Sequence, residues 1–99
     1  MENNFKAIIK NAQAVIRQEA EAVFELQNCV DEQFAAVVST ILKSKGRVVL
    51  TGIGKSANIA NKIVATLNST GTPAIFMHAA DAIHGDLGMV QKADVVICL

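Results

Sequence analysis

The sequence has 99 residues, of which 52% are hydrophobic and 18% are charged, a balance typical of one globular domain and unlike that of a disordered chain. Nine Lys and Arg residues offset nine Asp and Glu residues, so the formal net charge is zero, and only 4% of the residues are aromatic. Because the sequence shows neither a basic stripe nor many stacking aromatics, we expect no nucleic-acid partner.

The N-terminal segment and the cysteines favour a cytoplasmic protein. The first residues, MENNFKAIIKNAQ, show no basic stretch followed by an apolar run, and no apolar stretch approaches the roughly 18 residues of a membrane span. Cys29 and Cys98 lie far apart within apolar patterns. We therefore expect them to be small core residues and to form neither a disulfide nor a metal pair. The predicted location is the cytoplasm, without a membrane partner.

A long segment without Pro or Gly, residues 4–44, carries apolar residues at helical spacing and predicts an α-helical arm. Since about 40 residues is long for one globular helix, we expect two helices, with Asp31 capping the second. The segment KSKG, which ends at Gly46, provides the stop signal. We thus predict a two-helix arm over residues 1–45, whose apolar stripe is suited to packing on a second subunit.

After Gly46 the pattern changes to alternating strands and helices. RVVLTG, TPAIFMH and DVVICL are short apolar runs of the kind that form parallel strands, and KSANIANKIVATLNST has helical spacing. The residues of that helix expected to face inward are Ile59, Ile63, Val64 and Leu67. Strands and crossovers in this order predict a parallel α/β sheet. Because only one full crossover helix is present, residues 46–99 are expected to be an incomplete α/β core from a longer domain.

The turn GIGKS, between the first strand and its helix, is of a type that binds phosphate. A Walker A loop needs its first glycine five positions before Gly54, where Val49 stands, so a nucleoside triphosphate is not expected. Gly52, Gly54 and Ala57 satisfy the dinucleotide pattern G-x-G-x-x-G/A. However, His78 stands where that pattern wants an acidic residue at the end of the second strand. A dinucleotide is therefore a weaker alternative.

A third interpretation is a compact turn around a small anion such as a sugar phosphate. Gly52 and Gly54 would let the backbone approach the anion. The N-terminus of the following helix and the Ser56 hydroxyl would donate hydrogen bonds, and Lys55 would face the ligand. An ordinary strand-to-helix turn with a solvated lysine explains the same residues without a ligand, so both interpretations stay open from the turn alone.

Two further segments favour a ligand. STGTP precedes the second strand and offers Gly71 and Thr72, two small residues that a ligand could approach. HAADAIHGDLGM follows that strand and contains both histidines of the sequence, His78 and His84. These histidines lack the i, i+4 spacing of a helical zinc pair and no cysteine lies nearby, so the spacing gives little indication of a metal.

Together these motifs resemble the sugar isomerase (SIS) domain of arabinose 5-phosphate isomerases. That family carries G-x-G-K-S, STGTP and H-x5-HGDLGM in this order and at these spacings, and its N-terminal helical arm also matches. The resemblance implies a three-layer, flavodoxin-like (Rossmann-type) parallel sheet, the SIS fold, preceded by the two-helix arm. It also implies a homotetramer assembled through that arm.

The resemblance further implies an enzyme that interconverts D-ribulose 5-phosphate and D-arabinose 5-phosphate, on the route to the Kdo sugar of lipopolysaccharide. The reaction is an aldose–ketose shift through an enediol. Lys55 and His84 would be catalytic, no cofactor would be required, and a divalent metal such as zinc could bind at His78. The implied substrate-binding residues are Gly52, Gly54, Ser56, Gly71, Thr72, His78 and His84.

The family's serine-rich phosphate turn and its carboxylate bases follow the third strand, so the resemblance assigns neither of them to a residue of this sequence. Asp81 departs modestly from the family, since many relatives have Glu there. We expect the isolated chain to be inactive. The alternative function is a regulatory SIS module that binds a phosphosugar without converting it.

Overall fold

A computed structural model describes residues 2–99, which form two compact units, one ending at Ala36 and one comprising Val37–Leu99. Helix α1 spans Glu2–Glu25 and is followed by a 3₁₀ helix, Leu26–Cys29. Helix α2 spans Glu32–Lys43. The predicted pair of helices is therefore confirmed. The predicted domain boundary at residues 45/46 stays a prediction.

The start of α2 is set by a side-chain cap. The Phe34 backbone N–H donates a hydrogen bond to Asp31 Oδ1 at 3.0 Å. This bond satisfies one of the backbone donors that have no acceptor inside the helix. The predicted role of Asp31 is confirmed, and the cap sets the start of the second helix.

The α/β core contains three parallel strands, β1 (Val48–Gly52), β2 (Ala74–His78) and β3 (Val95–Cys98), in the order β2-β1-β3. Helix α3 (Lys55–Ser69) connects β1 to β2, and the connection to β3 contains helix α4 (Ala79–Ile83) and a 3₁₀ helix, Asp86–Met89. The predicted parallel α/β sheet is confirmed. Strand β1 is central, which explains why all five of its residues are buried.

The core lies between the central strand and α3. Alternate residues of a strand face the same side of the sheet, and Val48 and Leu50 of β1 join Ala60 of α3 and Ala74 of β2 in one buried cluster. Partly buried hydrophobic side chains surround this cluster: Ile41, Ile63, Val64, Leu67, Phe76 and Ile97. Small residues on α3 let the helix approach the sheet closely.

Two predictions about the core are wrong. Ile59 is 57% exposed, because Ala57 and Ala60 are the residues of α3 that point most directly at the sheet. Cys29 and Cys98 are exposed free thiols and not core residues. Cys29 lies in a 3₁₀ helix without buried residues. Along β3 partly buried and exposed residues alternate, and Cys98 is one of the exposed residues.

The amino edge of the sheet is held together by an ion pair between residues far apart in sequence. Arg47 Nη2 donates to Asp94 Oδ2 at 2.9 Å, and the Arg47 backbone N–H donates to Asp94 Oδ1 at 2.8 Å. The Gln91 backbone N–H donates to Asp94 Oδ2 at 2.7 Å. The hydrogen bond from the Arg47 side chain, followed by those from the two backbone N–H groups, holds the pKa of Asp94 well below its usual range. Strands β1 and β3 are thereby fixed side by side.

None of the helices within residues 2–99 combines the length and the apolar character that crossing a bilayer requires.

Candidate functional site

The predicted turn and the first predicted histidine both lie at the carboxyl edge of the sheet. Gly52, the last residue of β1, is in register with His78, the last residue of β2. The chain continues from these two residues into GIGKS and into HAADAIH, so both loops leave the same edge. Strand β2 lies on one side of β1 and β3 on the other. Such a change in the direction of winding creates the crevice where open α/β sheets bind ligands.

The glycines of the turn have separate structural roles. A Cβ atom on Gly52 would lie 3.1 Å from the Ser56 carbonyl carbon and 3.2 Å from the Ala57 nitrogen. Gly52 thus allows α3 to begin close against the end of β1. Gly54 has φ 62° and ψ −130°, a conformation that favours glycine. Its carbonyl accepts a hydrogen bond from the Ala57 N–H at 3.1 Å.

Lys55 is the first residue of α3 and is exposed. Within residues 2–99 its ammonium group takes part in no ion pair or hydrogen bond. A lysine at this position is unfavourable for the helix, because the N-terminus already carries a partial positive charge. The two positive charges together attract an anion, and residues that violate a local preference in this way are typical of functional sites.

Ser56 is the second residue of α3 and is partly buried. It lies in the first turn of the helix, where backbone N–H groups have no acceptor inside the helix. The hydroxyl and these N–H groups lie beside Lys55 in sequence and at the same end of the helix. The turn therefore combines a cation with several neutral hydrogen-bond donors.

His78 is held in place by its own chain. Its Nδ1 atom accepts a hydrogen bond from the Ala80 backbone N–H at 3.2 Å, which caps α4. Its ring contacts the Phe76 ring edge to face, with the centroids 6.1 Å apart and the ring planes at 85°. Phe76 did not stand out in the sequence. The alternation of a strand was the available signal, because it places Phe76 and His78 on the same side of β2.

His84 is exposed and lies directly after α4, at its C-terminal cap. Its backbone N–H donates to the Asp81 carbonyl at 3.0 Å. Its imidazole forms no hydrogen bond or ion pair with any residue that the structure describes. The structure thus leaves the ring available to a ligand, and it does not fix the ring beside Lys55.

Gly71 and Thr72 lie at the opposite edge of the sheet. Helix α3 starts at the carboxyl end of β1 and has 15 residues, so it carries the chain about 22 Å back towards the amino ends of the strands. The two residues line a cavity of about 180 Å³ there, together with Ile41, Leu42, Ser44, Gly46, Val48 and Pro73. Within one chain they are too far from Lys55 to bind the same pentose phosphate. The structure therefore does not bring them into the site of the other predicted residues.

Thr51, next to the end of β1, is a feature that the sequence did not reveal. It is only 8% exposed, and its hydroxyl has no hydrogen-bond partner within residues 2–99. Buried hydroxyls are nearly always paired. A buried threonine in a central strand looks like any β-branched core residue, so no pattern in the sequence indicates this unpaired group.

The side chains that the structure describes do not provide a set of metal ligands at His78. Within residues 2–99 no group of three or more His, Cys, Asp or Glu side chains is arranged to hold a metal ion. The Nδ1 lone pair of His78 is already used by the Ala80 N–H. We derive no chemical step from a metal at this position.

Comparisons with known proteins bear on the family and the fold. The SIS domain family profile matches residues 41–99. The arabinose 5-phosphate isomerase KdsD of Francisella tularensis is 44% identical over 102 residues, an alignment that covers 100% of this chain and 31% of that protein. The corresponding KdsD of Pseudomonas aeruginosa is 47% identical over 91 residues, covering 92% of this chain and 28% of that protein. The chain thus spans about a third of the length of these curated relatives.

A solved structure shows the same fold. The E. coli CFT073 protein c3406, in complex with arabinose 5-phosphate, superposes with a TM-score of 0.87 at 42% sequence identity. The match covers 94% of this chain and 50% of that chain.

Proposed function

Because this chain belongs to the SIS domain family, we propose that the intact protein is a phosphosugar isomerase that interconverts D-ribulose 5-phosphate and D-arabinose 5-phosphate. Support comes from two relatives named arabinose 5-phosphate isomerase, at 44% and 47% identity, and from the related structure in complex with that sugar phosphate. The chain covers about a third of these relatives, so the activity is proposed for the intact protein.

The observation that carries the proposal is that Lys55 and His78 lie at the same edge of the sheet. The register of β1 with β2 sets Gly52 opposite His78, and Lys55 begins α3 three residues after Gly52. Lys55 lacks a carboxylate partner within the described part of the chain. This edge therefore offers positive charge and hydrogen-bond donors to a small, anionic, hydroxyl-rich ligand.

Each residue of the site has a proposed part in the reaction. Moving a proton between C1 and C2 of the sugar places negative charge on the carbonyl oxygen, and the Lys55 ammonium would stabilise that charge. Ser56 and the adjacent backbone N–H groups would bind ligand oxygens, beside Gly54, where an added Cβ atom would meet nothing within 4 Å. His78 would contact the sugar, and His84 would assist proton transfer during ring opening.

The proposed reaction needs no cofactor. An aldose–ketose shift moves protons within one molecule and has no net oxidation or reduction, so no redox partner is consumed. The charge that develops on oxygen can be met by a fixed cation such as Lys55. We propose that the product serves Kdo and lipopolysaccharide synthesis in the cytoplasm.

We also propose a homotetramer assembled through the helical arm. Helix α1 has no buried residue, and its apolar side chains include Phe5 and Phe24, which are 60% and 69% exposed. Burying such side chains contributes about 1.5–3 kcal/mol each. A second copy of the arm would supply a matching apolar face.

The test compares two lysines on the same helix. Lys55→Met in the intact protein removes the proposed cation, whereas Lys62→Met removes an exposed charge from a later turn of α3. We expect Lys55→Met to lower kcat for arabinose 5-phosphate by about 10²–10³-fold, the effect of losing one oxyanion-stabilising group. Lys62→Met should keep wild-type kinetics.

The same pair of variants distinguishes an isomerase from a regulatory module. A module that only binds the phosphosugar would show no turnover in the wild-type protein, and Lys55→Met would lower its affinity alone. A wild-type kcat in the Lys55→Met enzyme would contradict the proposed role of this lysine.

A further inference from the structure

One nitrogen of the His78 imidazole, Nδ1, is hydrogen-bonded to the main chain, and the other, Nε2, takes no part in that bond. Nδ1 lies 3.2 Å from the Ala80 backbone nitrogen, which is a hydrogen-bond donor and cannot accept. The contact therefore requires a lone pair on Nδ1. In a neutral imidazole, one nitrogen carries the proton and the other carries the lone pair. With the lone pair on Nδ1, the proton must reside on Nε2.

The ring is also held in orientation. The edge-to-face contact with Phe76 and the hydrogen bond to Ala80 restrain it from two sides. His78 is only partly buried, and its backbone is in register with Gly52 at the carboxyl edge of the sheet. The ring that carries Nε2 is thus held in one orientation before any ligand binds.

We infer that the main chain holds His78 as its Nε2–H tautomer, so that His78 presents a hydrogen-bond donor to an oxygen of the ligand and does not act as a zinc ligand. The identity of the acceptor as a phosphosugar oxygen rests on the proposed function. The tautomer itself does not, because it follows from the Ala80 contact alone.

The surroundings of His78 are the reverse of those of a metal-binding histidine. A metal takes the lone pair of one ring nitrogen, and the other nitrogen usually donates its N–H to a carboxylate or carbonyl. Here the other nitrogen faces a backbone N–H. For Nε2 to bind zinc, the proton would have to move to Nδ1, where it would face the Ala80 N–H and break the cap of α4.

The tautomer can be measured directly in the intact protein labelled with ¹⁵N-histidine. At about pH 8.5, where imidazoles are ordinarily neutral, we expect the His78 ring to show an unprotonated Nδ1 and a protonated Nε2. A protonated Nδ1, or two nitrogens with averaged shifts, would overturn the inference. Equimolar Zn²⁺ should leave the His78 ring resonances in place, and a zinc-dependent shift of Nε2 would also overturn it.

Two substitutions distinguish the role of Nδ1 as the cap of α4 from the role of the Nε2–H group as a donor to the ligand. His78→Asn places an amide oxygen near the position of Nδ1 and can keep the cap, but it removes the Nε2–H group. His78→Gln reaches towards the position of Nε2 and loses the short acceptor. We expect the Ala80 amide to stay protected from hydrogen exchange in His78→Asn and to lose protection in His78→Gln.

Substrate affinity then shows whether the donor is used. His78→Asn should raise KM for arabinose 5-phosphate about tenfold, the loss expected for one hydrogen bond to a ligand. If His78 only caps α4, His78→Asn keeps the wild-type KM, and the donor role is wrong. If the intact wild-type protein does not isomerise the sugar, the proposed function fails while the NMR result on the tautomer still stands.

Discussion

Gly52→Ala tests how closely the GIGKS turn and the start of α3 pack against the end of β1. The added Cβ atom would lie 3.1 Å from the Ser56 carbonyl carbon, 3.2 Å from the Ala57 nitrogen and 3.3 Å from the Ser56 Cβ. Two of these three neighbours are backbone atoms in the first turn of α3, and Ala57 is buried. The start of the helix must therefore shift by a few tenths of an ångström.

The expected cost follows from that geometry. Overpacking at a buried position costs about 1–3 kcal/mol. Replacing glycine by alanine recovers about 0.4–1 kcal/mol, because the unfolded chain loses conformational freedom. The net destabilisation should be about 1–2 kcal/mol, which corresponds to a decrease in Tm of roughly 2–8 °C for a protein of ordinary size.

The same shift should also lower the catalytic activity, because the displaced turn carries Lys55 and Ser56. Misplacement of a catalytic group by 1 Å can cost about 10²-fold, so a shift of a few tenths of an ångström should lower kcat/KM about tenfold. Thermal unfolding by circular dichroism and turnover of arabinose 5-phosphate measure the two effects on the same preparation.

Gly88→Ala is the matched control for stability. A Cβ atom on Gly88 meets nothing within 4 Å, and the backbone there has no positive φ. We expect its Tm to stay within about 2 °C of wild type, since only the small entropic term remains. If Gly52→Ala behaves like Gly88→Ala in Tm and also keeps the wild-type kcat/KM, the close approach of α3 to β1 does not position the site.

The remaining predictions concern the core, the arm and the amino edge of the sheet. Leu50→Ala, at a side chain that is 1% exposed, should lower the free energy of unfolding by about 2–5 kcal/mol in chemical denaturation; a loss below 1 kcal/mol would contradict its place in the core. Asp31→Ala should cost about 1 kcal/mol through loss of the α2 cap, whereas Asp31→Asn keeps a capping oxygen and should be nearly neutral; equal Tm values for the two variants would exclude the cap. Asp94→Asn should destabilise the protein near neutral pH by breaking the pairing with Arg47. Since the pKa of Asp94 is lowered in the folded state, its stabilisation is present above about pH 4, the ordinary pKa of Asp, and is lost as the pH falls further. The gap between the denaturation midpoints of wild type and Asp94→Asn should therefore begin to narrow below about pH 5 and keep narrowing as the pH falls, and a gap independent of pH would contradict the ion pair.

Local features were determined by the sequence alone. The alternation of strands and helices, the cap at Asp31 and the start of α3 at Lys55 all depend on residues close together in the chain, where helical spacing, β-branched runs and capping oxygens act directly. The turn GIGKS could be recognised for the same reason, because its glycines, its lysine and the following helix are consecutive.

Features that depend on contacts between distant segments were decided by the tertiary structure. Arg47 and Asp94 are 47 positions apart, and only the order β2-β1-β3 brings them together. The direction of α3 places Gly71 and Thr72 at the edge opposite Lys55, although all three looked like parts of one site. The tautomer of His78 depends on one hydrogen bond to Ala80, whose geometry no residue pattern encodes. Sequence patterns report local conformational preference, whereas a binding site is defined by directions and distances that exist only after the strands have paired.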